Sequence, residues 1–144
     1  MSITYERAED AYLAVVWAVL VADNVGTIRD RNFIHVNVKG IALFNDYSEE
    51  EYSMMVGALY VKVSQTLLDE GGALIEERVL EMVAAVNECL NYENCLEVYR
   101  MAVEIACEDE LCEEEKKLLS QFRSGLNIEK NDADEVHAEF EYMS

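Results

Sequence analysis

Proline is absent from this chain of 144 residues, and β-branched runs are short. With apolar residues recurring at spacings of three and four and nothing to break a helix, the chain reads as nearly all helix. Cations are scarce too: 11 Lys and Arg stand against 30 Asp and Glu, a formal charge of −19. That balance excludes a protein built to grip nucleic-acid phosphates and leaves basic partners, cations or a mimicry role open. No run approaches the roughly 20 apolar residues of a membrane span. The longest, Ala11 to Ala22, is closed off by Asp10 and Asp23, and the N-terminus M-S-I-T-Y-E-R-A-E-D lacks the basic-then-apolar order of a signal peptide. The expectation is a soluble, cytoplasmic protein with no membrane insertion.

The chemistry of most enzymes is missing as well. No Gly-rich phosphate loop, nucleophile elbow or H-E-x-x-H occurs. The two histidines, His35 and His137, form no pair of Glu-x-x-His motifs, which argues against a carboxylate-bridged di-iron bundle. Asp134 and His137 share one face of the last helix, weak evidence for a site. Cys89, Cys95, Cys107 and Cys112 show no C-x-x-C spacing, and a chain long enough to bury its own core needs no disulfide staples. No general base has an evident partner, so no catalytic residues are assigned and a non-enzymatic role is expected.

What is present is a series of apolar helical stripes between polar starts. A first helix is predicted over Ile3–Ala22, apolar nearly all round, with Val16, Trp17 and Leu20 widening its stripe. Thr27 with Asp30, Ser48 with Glu51, Asn94 with Glu97 and Asp132 with Glu135 show the capping-box spacing of a helix start. Helices are then predicted from Ile28 to about Phe44, and over Glu49–Leu68, Ala73–Leu90, Cys95–Glu108, Glu113–Ser124 and Ala133–Tyr142. Gly71 and Gly72 read as a stop and a hinge, and Gly125 as a left-handed C-terminal cap. Trp17, Phe44, Met54, Met55, Tyr60 and Met82 are assigned to the core. The expected fold is all-α, a compact bundle of about seven helices forming one domain over residues 1–144.

The stretch A-V-E-I-A-C-E-D-E-L-C-E-E-E-K-K-L-L, Ala102 to Leu119, concentrates carboxylates between two apolar runs. Glu113, Glu114 and Glu115 fall in the first turn of a helix, where its dipole favours acids. Glu108, Asp109 and Glu110 lie at the end of the preceding helix, where the dipole disfavours them, and such a cluster invites a cation. Cys112 occupies the cap position, where the dipole would stabilise a thiolate and the surrounding carboxylates oppose it.

This stretch and an earlier one, A-V-L-V-A-D-N-V-G-T-I-R-D-R-N-F-I from Ala18 to Ile34, share a pattern: an apolar helix ends in an acid, a turn supplies one aliphatic residue, and a new helix opens with an acid. The pattern resembles the TerB-like family of tellurite-resistance proteins, over roughly Ala8 to Ile128. The resemblance implies an all-helical domain of two pseudo-repeated helix-turn-helix halves, serving bacterial responses to tellurite and other chemical stress, with a metal-linked role. It maps the family's acidic positions to Asp23 and Asp30 in the first repeat and to Glu108 and Glu115 in the second. Asn24 and Asp109 stand where the family has Gly, and the first turn is two residues longer than the second.

Four carboxylates from two turns would gather oxygen ligands around a hard divalent cation, Ca²⁺ or Mg²⁺, rather than a soft metal. Neither turn is an EF-hand, since Val25 and Thr27 stand where that loop needs ligands. For Asp30 and Glu115, helix capping competes with coordination as a role. The function expected is therefore a stress-response domain that works by binding a partner protein, with a divalent cation at the acidic turns as an open element. The alternative is a metal-free acidic interaction module.

Overall fold

A computed structural model of the protein describes residues 3–22, 41–107 and 113–142. These form six α-helices: α1 (Ala8–Ala22), α2 (Glu49–Leu67), α3 (Glu76–Cys89), α4 (Tyr92–Cys107), α5 (Glu113–Gly125) and α6 (Lys130–Glu139), with a 3₁₀ turn over Ala42–Phe44. Among the described residues there is no strand, so the all-α class expected from sequence holds. The predicted helix from Ile28 lies outside the described residues except at its end, where Ala42–Phe44 is the 3₁₀ turn.

Helix α1 is the centre of the bundle. Every residue from Ala11 to Leu20 is buried, and α2, α3, α4 and α5 all pack on it. A helix that is apolar all round has no solvent face to offer. Trp17 sits at its middle: its indole Nε1 donates to the Val56 carbonyl of α2 at 3.0 Å, and its ring lies 4.8 Å from that of Tyr60. The helix starts at Ala8 rather than at the predicted Ile3, with the Arg7 guanidinium bridging to the Asp10 carboxylate. The chain before it buries Ile3 instead, and Lys62 donates to the Thr4 carbonyl while lying over the Tyr5 ring.

Helix α2 opens on the predicted capping box: Ser48 Oγ accepts from the Glu51 amide and Glu51 accepts from the Ser48 amide, both at 3.1 Å. Its buried residues Tyr52, Met55, Val56, Leu59, Val63 and Leu67 keep helical spacing. Met54 does not belong to the core as expected, since it falls between those positions and is 72% exposed. The glycine pair that follows ends the helix as expected, in a turn held by hydrogen bonds. Asp69 Oδ1 accepts from the Gly71 and Ala73 amides, Ile75 donates back to the Leu67 carbonyl, and Gly72 takes φ 84°. This loop uses the backbone of Ala73 to Ile75, so α3 starts three residues later than predicted.

Two other helix starts differ from the predicted caps in the opposite direction. Asn91 Oδ1 accepts from the Asn94 amide at 2.8 Å, which caps α4 one turn earlier than Asn94 would. Helix α6 begins at Lys130, leaving Asp132 inside it and free to accept from the Tyr92 hydroxyl at 2.6 Å. Gly125 is the last residue of α5, and its lack of a side chain matters for packing: a Cβ there would come 2.1 Å from Val83 Cγ1 of α3. The left-handed position belongs to Asn127, at φ 56°, inside a closing turn in which the Ile128 amide reaches the Arg123 carbonyl at 3.1 Å.

Candidate functional site

Of the four carboxylates assigned to a cation, Asp23, Asp30 and Glu108 lie outside the described residues. Glu115 lies in the first turn of α5 and is 2% exposed, the one charged side chain buried among the described residues. Its neighbours differ: Glu113 projects into solvent and pairs with Lys116 at 3.6 Å, and Glu114 is exposed. Helical periodicity explains the contrast, because Glu115 shares the inward face with Leu118, Leu119 and Phe122. The spacing of Glu115 to those three residues, at i, i+3, i+4 and i+7, is the sequence signal that separates it from its two acidic neighbours.

Glu115 acts electrostatically on Cys107, at the end of α4. Burial pushes the Cys107 thiol up, and the Glu115 carboxylate adds to the rise. Cys95 is raised by burial alone, and Cys89 by burial with Asp10 and Glu9 adding. All three therefore stay protonated near neutral pH, the reverse of what a reactive thiol requires. Cys112 lies outside the described residues. Among the described residues, no group of three or more His, Cys, Asp or Glu side chains is placed to hold a metal ion.

His137 has a structural engagement that sequence reasoning missed. Its Nε2 lies 2.7 Å from the Tyr99 hydroxyl of α4, and the Tyr142 ring stacks edge-on at 4.9 Å. Burial lowers its pKa, the positive charge of Arg123 lowers it further, and Asp134 opposes them. Burial pushes the Tyr99 hydroxyl up to about 12. Both groups are thus neutral near pH 7 and work as a hydrogen-bonded pair that fastens α6 to α4. Nothing in the spacing of Tyr99 and His137 could have signalled a pairing across 38 residues.

The surface is more informative than any single cluster. The described cations are largely committed to the chain's own acids: Arg7 to Asp10, Arg78 to Glu81, Arg100 to Glu139, Lys117 to Glu76 and Lys130 to Asp134, besides Lys116 to Glu113. Carboxylates outnumber cations by 30 to 11 in the whole chain. The exposed faces therefore carry an excess of negative charge with little positive charge to offer. Such a surface attracts cationic groups and repels anionic ones at separations up to a Debye length.

No family model, no curated protein and no solved structure matches this chain. Among the described residues, no helix is long and apolar enough to cross a membrane.

Proposed function

We propose that this chain is a non-enzymatic, TerB-like domain of bacterial tellurite and chemical-stress responses that acts by binding a partner protein through its acidic surface. The observation that carries the binding role is the commitment of the described cations to intrachain ion pairs while exposed carboxylates remain in excess. The stress context rests on the two acid-turn-helix stretches at Ala18–Ile34 and Ile105–Leu119. In-cell cross-linking with and without tellurite, followed by reconstitution of the purified pair, tests both parts. The expected result is a partner with a basic contact surface whose capture rises under tellurite. Capture that ignores tellurite removes the stress context, and a reconstituted partner that binds through an acidic or neutral face removes the charge-based reading.

A second reading is a divalent cation, Ca²⁺ or Mg²⁺, held by Asp23, Asp30, Glu108 and Glu115. It is favoured by the burial of Glu115, because a carboxylate at 2% exposure is not a merely solvated acid. Calorimetric titration of the metal-free protein with each ion, repeated on an Asp23→Asn, Glu108→Gln double variant, tests it. Saturable binding that disappears in the variant supports the cation; heats that only reflect weak, salt-screened association retire it.

A further inference from the structure

Helices α3 and α5 approach closely at Val83 and Gly125, and hollows lie along the surface between them. At one end is a cleft of about 480 Å³, floored by Val21, Leu74, Val79 and Leu118 and rimmed by Glu76, Glu114 and Lys117. A second hollow, of about 520 Å³, continues toward the far end of α3, where Leu80, Ala84, Asn87 and Glu88 face Ser120 and Ser124 of α5. Gln121 borders both, so the two are parts of one groove. Leu80 lies on it with 51% of its surface exposed, a large apolar side chain left in water.

Charge and length together limit what fits. Lys117 is the one cation among the lining residues, and it is already paired with Glu76 at 2.9 Å. Glu114 at one end and Glu88 at the other leave the groove negative at both ends, with the exposed Leu80 and Ala84 between them. Along α3, Glu76 to Glu88 spans about 18 Å at the rise of an α-helix. That is the length of roughly three helical turns, the size at which a partner helix presents apolar anchors at i, i+3, i+4 and i+7.

We infer that the groove between α3 and α5 is the docking site for a cationic amphipathic helix of a partner protein. Its apolar face would cover the exposed Leu80 and Ala84 and the half-buried Val21 and Leu74, and its Lys or Arg residues would meet Glu114 and Glu88. This deepens the reading of the chain as an acidic interaction domain and rests on it. A second copy of this chain is disfavoured by the same charge, because each copy carries a formal −19.

The probe is a synthetic peptide of about four helical turns, with leucines on one face and lysines on the other. A scrambled peptide of the same composition, which has no apolar face, is the control. Each is titrated into the isotope-labelled full chain, and backbone amide shifts are followed. The amphipathic peptide is expected to bind at least about tenfold more tightly than the scramble, a difference of roughly 1.4 kcal/mol. Its shifts should concentrate at Leu74, Val79, Leu80, Ala84, Gln121 and Ser124. Leu80→Ser, which removes an exposed apolar contact, and Gln121→Arg, which adds a repelling charge where the two hollows meet, should each reverse most of that difference without altering the circular dichroism melt. Equal binding of both peptides, with shifts spread over all acidic faces, overturns the groove as a site and leaves the acidic-surface reading standing. Failure of both peptides to bind at low salt overturns the groove and the acidic-surface reading together. Dimerisation that moves the same amides on concentration overturns the partner in favour of a second copy.

Discussion

Ten consecutive residues of α1 are buried, whereas α6 buries only Ala133 and Val136 along its length and is fastened to α4 by side-chain pairs. Those pairs are Tyr92 to Asp132, Tyr99 to His137 and Arg100 to Glu139, with Arg100 also lying 5.2 Å over the Phe140 ring. Apolar burial is non-directional and involves no charge to titrate or screen. Polar fastening depends on protonation and is screened where it is exposed. The contrast predicts a core element that exchanges only through global unfolding and a peripheral element that opens locally.

The sharpest way to break this contrast is to damage the centre. Trp17→Ala removes a fully buried ring and leaves the Val56 carbonyl without its indole donor, a loss of about 3–5 kcal/mol. Urea denaturation should show the whole bundle losing its midpoint cooperatively. If only the signal of α2 responded, α1 would not be the common core. At the periphery, Tyr99→Phe removes the partner of His137 and should cost about 1 kcal/mol. Amide exchange across Lys130–Glu139 should quicken about fivefold while α1 exchange stays bound to global unfolding. Equal acceleration in both helices would erase the distinction.

The pH dependence of α6 follows from His137. Its folded pKa is depressed below the ordinary 6.5, chiefly by burial, so the fold favours the neutral ring. The stabilisation is complete above the unfolded value of about 6.5 and is lost as pH falls through the folded value. Ring resonances of His137 should report a midpoint below 6.5, and exchange in α6 should quicken over the same interval. A midpoint above 6.5 would reverse the sign of the effect.

The smallest effect is expected at Tyr12, whose buried hydroxyl has no hydrogen-bond partner among the described residues. Tyr12→Phe should leave the denaturation midpoint unchanged or raise it, because it removes an unsatisfied polar atom while keeping the ring against Phe44. A fall of the midpoint would assign that hydroxyl a partner.

Where apolar periodicity dominates, sequence and structure agree. The body of helix α1 and the Ser48–Glu51 start of α2 were legible, because burial pattern and capping chemistry are local. The starts of α4 and α6 were displaced by one turn each, since Asn91 precedes Asn94 at the same spacing that makes either a cap, and Asp132 has a tertiary partner in Tyr92. Gly125 was read as a conformational residue when the reason for glycine there is the approach of Val83. The candidate site was less legible. The burial of Glu115 is signalled by its spacing to Leu118, Leu119 and Phe122, a signal that grouping the three acids as helix-start charges sets aside, whereas the Tyr99–His137 pair and the α3–α5 groove depend on which helices become neighbours. No spacing along the chain encodes those choices.

The central claim, that this domain works by presenting negative charge to a basic partner, is tested most directly by the salt dependence of the reconstituted complex. Affinity should fall steadily between about 50 mM and 500 mM NaCl, as exposed ion pairs across the interface are screened. An affinity that stays constant over that range would contradict the account.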